Sequence, residues 1–321
     1  MFSHSKTVSH LLLTIGLCSL FTSLQAADLS IKKDYPLEKL TNRVHVIHGP
    51  NEEVSKANQG FRNNPVLITT AEGIVVIDPG SSLYTGEMVV NKARSLSNKP
   101  VIAVFITHEH GDHWLGNHGI KKHYPNAVIY AHEAAINTIK SDEGAMWITS
   151  INRMADGQIA GTKVVAPDKP IKDGDRIKLG GVTFRIYNNG KAHSNSDIMI
   201  EIVEEKVFVF GDNLRDQNVS LFMAGFKGNL AALDIGQKSG AKYFVPGHGK
   251  SGDKAIIDRY RRFLIDLKGA VQKNFAAGMS DFEMKPVVIK ALHKYKHWSG
   301  FEENIGKLIN LAYLEVENES F

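Results

Sequence analysis

The chain has 321 residues, 43% of them hydrophobic and 22% charged, with a formal net charge of +4. That composition is ordinary for a folded globular protein and excludes a disordered one. Lys, Arg, Asp and Glu are scattered without a basic block, so nucleic acid is not an expected partner.

The chain opens with Lys6, an apolar run over residues 11–21 and small residues around Ala26, which read as a secretory signal peptide over 1–26 cleaved near Ala26. The run is too short to span a bilayer, so no membrane anchor is expected after cleavage, and the mature protein is expected to be periplasmic or secreted. The only cysteine, Cys18, falls inside this leader. The mature chain would then have no disulfide and no thiolate, and any metal must be held by His, Asp or Glu.

A short strand is expected over 43–48, followed by a polar loop with Asn58, Gly60, Asn63, Asn64 and Pro65. Two β-branched runs, 66–70 and 74–77, flank Ala71-Glu72-Gly73 as a hairpin; the second leads into Asp78-Pro79-Gly80. A helix over 84–96 and a buried strand over 101–106 complete a crossover unit. Helical spacing is expected over 113–122, 133–140 and 143–154, with a strand over 127–130 between the first two. In the third, the stripe of Met146, Trp147 and Ile151 is read as packing ahead of a substrate-facing lid. Strands are then expected over 176–179, 182–187, 198–203 and 207–210, a helix over 230–237, and a last strand over 243–245. From 253 onward the pattern is helical. The organisation expected is a mixed α/β catalytic domain over 27–251 and a helical C-terminal extension over 252–321, whose apolar stripes offer core, docking or oligomer contacts.

The strand over 101–106 delivers Thr107-His108-Glu109-His110-Gly111-Asp112-His113. Three imidazoles and a carboxylate at this spacing would be poor core material, since each buried polar group needs a partner, but neutral imidazole and carboxylate are ligands that zinc accepts. A loop leaving a strand can turn alternate side chains toward two nearby points, which suggests two metals. Three further ligand types sit where strands end: His193 after 182–187, Asp212 after 207–210, and His248 in Pro246-Gly247-His248-Gly249. All three are read as loop residues.

The series Asp78-Pro79-Gly80, His108-x-His110-x-Asp112-His113, His193, Asp212 and Pro246-Gly247-His248 resembles the metallo-β-lactamase superfamily in motif order, over roughly residues 43–251. The resemblance implies a four-layer αβ/βα sandwich with two zinc ions per chain at one edge. It implies that His108, His110 and His193 hold the first zinc, that Asp112, His113 and His248 hold the second, and that Asp212 bridges. Asp78 matches an aspartate that supports a ligating imidazole from behind, and a helix-capping role before Pro79 is the other reading of it. The absence of a thiolate at Asp212 speaks against the cysteine-ligand lactamases. His113-Trp114-Leu115-Gly116-Asn117, Asn58-Gln59-Gly60-Phe61 and the leader are similar to the quinoprotein relay zinc metallohydrolases, within a glyoxalase II-like branch.

Two zinc ions about 3.5–4 Å apart lower the pKa of a shared water, so the expected activity is hydrolysis of a small ester, lactone or related carbonyl substrate by a metal-bridging hydroxide. Asp112 and Asp212 are the catalytic candidates, with Asp212 preferred for proton handling. The alternatives are an all-histidine β-lactamase, a glyoxalase II-like thioesterase, a mononuclear-iron persulfide dioxygenase, and a binding module in which zinc only holds loops together.

Overall fold

The computed structural model describes residues 1–2, 29–220 and 225–320. The expected leader, beyond its first two residues, and Cys18 lie outside the described residues. Seven strands form one sheet in chain order: β1 (Leu37–Lys39), β2 (Val44–Ile47), β3 (Val66–Thr69), β4 (Ile74–Ile77), β5 (Val101–Phe105), β6 (Val128–His132) and β7 (Lys169–Ile171). The pairings from β1 to β4 are antiparallel and those from β4 to β7 parallel. Five more strands make a second sheet: β8 (Arg176–Leu179), β9 (Val182–Tyr187), β10 (Met199–Ile202), β11 (Val207–Arg215) and β12 (Tyr243–His248), ordered β12-β11-β10-β9-β8.

The two sheets pack face to face because their alternating residues match. Val44, Val46, Val66, Ile68, Val75, Ile77 and Phe105 from the first meet Val182, Phe184, Ile186, Ile200, Ile202 and Val209 from the second in one cluster, the period-2 pattern of a sandwich interior. The other face of the first sheet is covered by α1 (Leu83–Leu96), α3 (Asn117–His123), α4 (Glu133–Lys140) and α5 (Asp142–Met154). Four residues of β4, Ile-Val-Val-Ile, are all buried, as a strand covered on both faces requires. The outer face of the second sheet carries α6 (Phe226–Lys238), α7 (Lys254–Ala276), α8 (Asp281–Ala291) and α9 (Phe301–Asn318), whose apolar faces share one core with Phe208, Phe210 and Phe244. Helix, sheet, sheet, helix is the four-layer sandwich expected from the motifs.

The departures from expectation fall near the chemistry. The single helix expected over 113–122 is two short pieces, α2 (Gly111–Trp114) and α3. The break is forced where Gly116 donates to the Gly80 carbonyl at 2.7 Å, an approach so close that a Cβ there would stand 2.3 Å from the Pro79 oxygen. Asp212 is not a loop residue, because β11 continues past Phe210 to Arg215; its pairing with β12 is irregular around Gly211, at φ 55°. His248 is the last residue of β12. Strands β1 and β7 are too short to carry a period; β7 contains Pro170, which the sheet tolerates at its edge.

Helices α1 and α3 touch through glycines. A Cβ on Gly119 would lie 2.5 Å from the Leu83 carbonyl and 2.6 Å from the Glu87 nitrogen. Gly119→Ala is therefore expected to destabilise the protein by about 1–3 kcal/mol through overpacking against backbone, measured by urea unfolding. An unchanged midpoint would show that α3 is free to back away from α1.

Candidate metal centre

Every ligand-type residue singled out in the sequence comes to one place, on the edge where β5, β11 and β12 end. The ligand atoms form two sets, within each of which they lie within 4.8 Å of one another: His108, His110, His193 and Asp212 in one, Asp112, His113 and His248 in the other. Asp212 faces both sets, one oxygen to each. Its Oδ2 is 3.7 Å from His108 Nε2 and 3.4 Å from His193 Nε2, while Oδ1 is 3.2 Å from His113 Nε2 and 3.3 Å from His248 Nε2. Asp112 Oδ2 stands 3.6 Å from His113 Nε2 and 3.3 Å from His248 Nε2.

Which imidazole nitrogen is bare follows from the partners behind each ring. His248 Nδ1 meets the Arg62 carbonyl at 3.0 Å, and a carbonyl only accepts, so Nδ1 carries the proton. His113 Nδ1 donates to Asp78 Oδ2 at 2.8 Å. The Thr107 hydroxyl donates to Asp78 Oδ2 at 2.6 Å, and its oxygen is left to accept from His108 Nδ1 at 3.0 Å. Each of the three rings therefore presents a bare Nε2 inward. Those atoms and Asp212 Oδ1 are buried without a hydrogen-bond partner among the described residues. Buried lone pairs without donors are costly, and a cation relieves that cost. The donor set, imidazole nitrogen and carboxylate oxygen without sulfur, fits zinc.

Asp78 stands at φ 53°, held by the Thr107 amide on Oδ1 at 2.8 Å. It does not cap a helix: Ser82 caps α1 through a reciprocal pair with Thr85. The loop over 58–64 is mostly a buried brace, with Arg62 also lining the cavity that opens on the ligands. Asn64 Nδ2 donates to the Pro246 and Gly249 carbonyls at 2.9 and 2.8 Å, and Asn63 Nδ2 donates to the Asp78 carbonyl at 2.9 Å.

Several residues that matter here carried no sequence signal. Glu109 points away from the ligands and accepts from Ser194 Oγ at 2.8 Å and from Ser196 Oγ, joining the first motif to the His193 loop. Arg215 is buried and donates to Asp212 Oδ2 and, at 3.0 Å, to Asn218; it sits three positions after Asp212 on β11, a spacing that was the only available cue. The stripe on α5 divides. Ile151 is buried in the core, as the packing reading expected, whereas Trp147 lies over His110 with ring centres 5.0 Å apart. Trp147, Ile151, Met154 and Val54 form an apolar wall, with Arg62 and Arg215 among the other residues, around a cavity of about 230 Å³ that opens on His110, Asp112, His193 and Asp212.

The electrostatics follow from burial and mutual contact. Burial pushes His108, His193 and His110 below the usual imidazole range, which keeps them neutral and able to ligate. Burial also opposes ionisation of both carboxylates. For Asp212 it is outweighed by Arg215, His248 and His113, and for Asp112 by His113, His248 and Arg62, so both are held well below the usual carboxylate range. His113 alone is pushed up: burial opposes its charge, but Asp212, Asp112 and Asp78 outweigh burial. A proton therefore competes with a cation for this site as pH falls.

The family model described as the metallo-beta-lactamase superfamily matches residues 59–248. Hydroxyacylglutathione hydrolases from Francisella tularensis subsp. holarctica and subsp. novicida are 29% and 28% identical over 182 residues, 56% of this chain and 56% of each relative. The chain thus spans about half the length of the curated relatives it matches. A stereoselective inverting sec-alkylsulfatase from Pseudomonas sp. is similar in structure at TM-score 0.58 and 16% identity, covering 78% of this chain and 44% of that one. A metallo-beta-lactamase from Pontibacter korlensis reaches TM-score 0.54 at 18% identity, covering 72% and 99%. At such identities these structural likenesses show the fold alone.

Behind the His193 loop, burial raises the Asp197 carboxyl to about 7 against the opposing hydrogen bonds from Ser194, with Glu109 and Asp212 adding to the rise. An acid whose pKa is higher folded than unfolded takes up a proton on folding. Its contribution is full below the unfolded value near 3.8 and is lost as pH rises through about 7. The melting temperature of the wild type is therefore expected to rise relative to that of Asp197→Asn on acidification from about pH 8 to about pH 5. A difference that stays constant across this window would place the Asp197 pKa elsewhere.

Proposed function

Because this chain belongs to the metallo-β-lactamase superfamily, we propose that it is a dinuclear zinc hydrolase of small esters, lactones or related carbonyl compounds. The single observation that carries the reading is the ring of bare, buried Nε2 atoms facing a carboxylate that offers one oxygen to each ligand set. His108, His110 and His193 would hold one ion, Asp112, His113 and His248 the other, and Asp212 both. Such a pair supplies Lewis acidity toward a carbonyl and depresses the pKa of water.

The chain's own groups divide the remaining work by exposure and contact. The Asp212 side chain is 1% exposed and tied to Arg215, which fixes its orientation. The Asp112 side chain, 13% exposed on the cavity, is the more accessible of the two carboxylates, so Asp112 joins Asp212, the group preferred from sequence, as a candidate for proton transfer. Asp78 holds the proton on His113 Nδ1, and the Arg62 carbonyl holds that on His248. The wall of Trp147, Ile151 and Met154 excludes water from one side and offers apolar area to a substrate of modest size.

The reading includes export, on the strength of Lys6, the apolar run over 11–21 and Ala26. Among the described residues no helix is long and apolar enough to cross a membrane. Association of copies through α7–α9 belongs to the same proposal, since Ile265, Phe282 and Leu314 are exposed there. A thioesterase of the hydroxyacylglutathione hydrolase kind is the second reading, favoured by the relatives that match over 182 residues.

Elemental analysis of purified protein is expected to find about two zinc ions per chain, as in a two-metal hydrolase; one ion, or iron in active protein, overturns the dinuclear zinc reading. Asp212→Ala is expected to lower metal occupancy and to reduce turnover of the best substrate in an ester, lactone, thioester and β-lactam panel by at least about a hundredfold. Full activity with full occupancy in that variant would remove Asp212 from the centre. Turnover confined to the hydroxyacylglutathione thioester selects the second reading.

A further inference from the structure

We propose that Arg62 is the anion-binding residue of this cavity and that the hydrolysed substrate carries a carboxylate or like oxyanion close to its scissile carbonyl. This rests on the hydrolase reading and deepens it. The Arg62 side chain is 9% exposed, and its guanidinium is only half used. Nη1 pairs with Glu53 Oε2, whose side chain is 48% exposed. Nε and Nη2, the two donors along one edge of the planar group, are buried with no hydrogen-bond partner among the described residues. Two parallel N–H donors on one edge are the geometry that receives a carboxylate, sulfate or phosphate in bidentate fashion.

The side chain that carries this edge lines the cavity together with His110, Asp112, His193 and Asp212, and Arg62 Nε is 4.0 Å from Asp112 Oδ2, beyond hydrogen-bond reach. The other guanidinium of the cavity, Arg215, is already engaged by Asp212 and Asn218, so the vacant donors are those of Arg62. Its position is not free to drift, since its backbone carbonyl accepts from His248 Nδ1 and its neighbour Asn64 binds the Pro246 and Gly249 carbonyls. A cation fixed on the brace that orients a ligand loop holds an anion at a set distance from the reacting centre. The apolar residues Trp147, Ile151 and Met154 of the same cavity take the uncharged remainder. The substrate class is thus a small amphiphilic ester or lactone with an acidic group a few bonds from the carbonyl.

The test compares monomethyl malonate and monomethyl succinate with their neutral dimethyl esters in the wild type, Arg62→Gln, Arg62→Lys and Glu53→Gln, with zinc content measured for each. Binding of succinate, which has no bond to hydrolyse, is followed by calorimetry. The wild type is expected to favour the monoanion over the neutral ester by about tenfold or more in kcat/KM, the effect of a charge-assisted bidentate contact. In Arg62→Gln that ratio is expected to collapse to about threefold or less, chiefly through KM, with succinate affinity down about tenfold and zinc content unchanged. Arg62→Lys should restore part of the preference, and Glu53→Gln, which frees Nη1 of a competing carboxylate, should tighten succinate binding.

An unchanged ratio and affinity in Arg62→Gln overturns the proposal. So does loss of zinc in parallel with binding, which would make Arg62 a support for Asp112 only. If Arg62→Gln fails to fold, Glu53→Gln decides, and succinate affinity equal to or weaker than wild type overturns the proposal. Esters hydrolysed without charge preference sink the anion site and leave the hydrolase reading standing. Arg62-dependent succinate binding with no hydrolysis of any ester does the reverse.

Discussion

Three imidazole rings turn bare nitrogens toward one buried point, and each is held there by a hydrogen bond on its far side. Asp78, the Thr107 hydroxyl and the Arg62 carbonyl consume the Nδ1 protons of His113, His108 and His248. An unsatisfied buried polar atom costs roughly 1–3 kcal/mol, so several at one point make this centre costly to assemble. That cost is tolerable only because the surrounding layers over-determine the geometry, and a bound cation offsets it. Folding stability and metal affinity are therefore linked in this chain.

The sandwich supplies the over-determination. Ligands arrive from the ends of β5, β11 and β12, strands buried on both faces between a shared interior and an outer helical layer. Loops that would otherwise be slack are clamped pairwise. Glu109 joins the first motif to Ser194 and Ser196, Asn64 joins the 58–64 segment to the turn before and after His248, and Gly116 locks the start of α3 onto the Asp78-Pro79-Gly80 turn. Several of these clamps use close backbone approach, which is why glycine recurs at the contacts. A Cβ on Gly247 would lie 1.9 Å from Asp212 Oδ1.

The ligands were legible in the sequence because their chemistry is local. His-x-His-x-Asp-His within six positions, and His or Asp after an apolar run, are patterns visible without knowing what lies opposite. The mixed α/β elements were legible too, from the switch between period-2 and helical spacing, whereas their four-layer arrangement was implied by the family resemblance alone. What escaped notice depends on long separations: Glu109 is 85 residues from Ser194, and Asn64 is 182 residues from Pro246. Glu109 read as a spacer between two histidines and Arg62 as part of a polar loop, since no local pattern says which way such a side chain turns. Asp212 reads as a loop residue from sequence because its strand loses its apolar character at Gly211. The strand continues by backbone pairing with β12, which no side-chain pattern records.

Charge balance adds a constraint that geometry alone does not state. Five carboxylates, Asp78, Asp112, Asp212, Glu53 and Glu109, and two guanidiniums, Arg62 and Arg215, are paired with or adjacent to the ligand cluster. Without a cation the cluster carries an excess of negative charge, which is why His113 is drawn toward protonation while the other ligand histidines that shift are pushed the opposite way. Two dications would reverse the sign and leave the cavity with a surplus of one positive charge. In a site of low effective dielectric that surplus is felt strongly. It favours any step that places negative charge at the centre, and it favours entry of an anion over a neutral compound of the same shape. The surplus itself has no direction; the guanidinium edge of Arg62, unpartnered among the described residues in a cavity that also has apolar lining, gives it one.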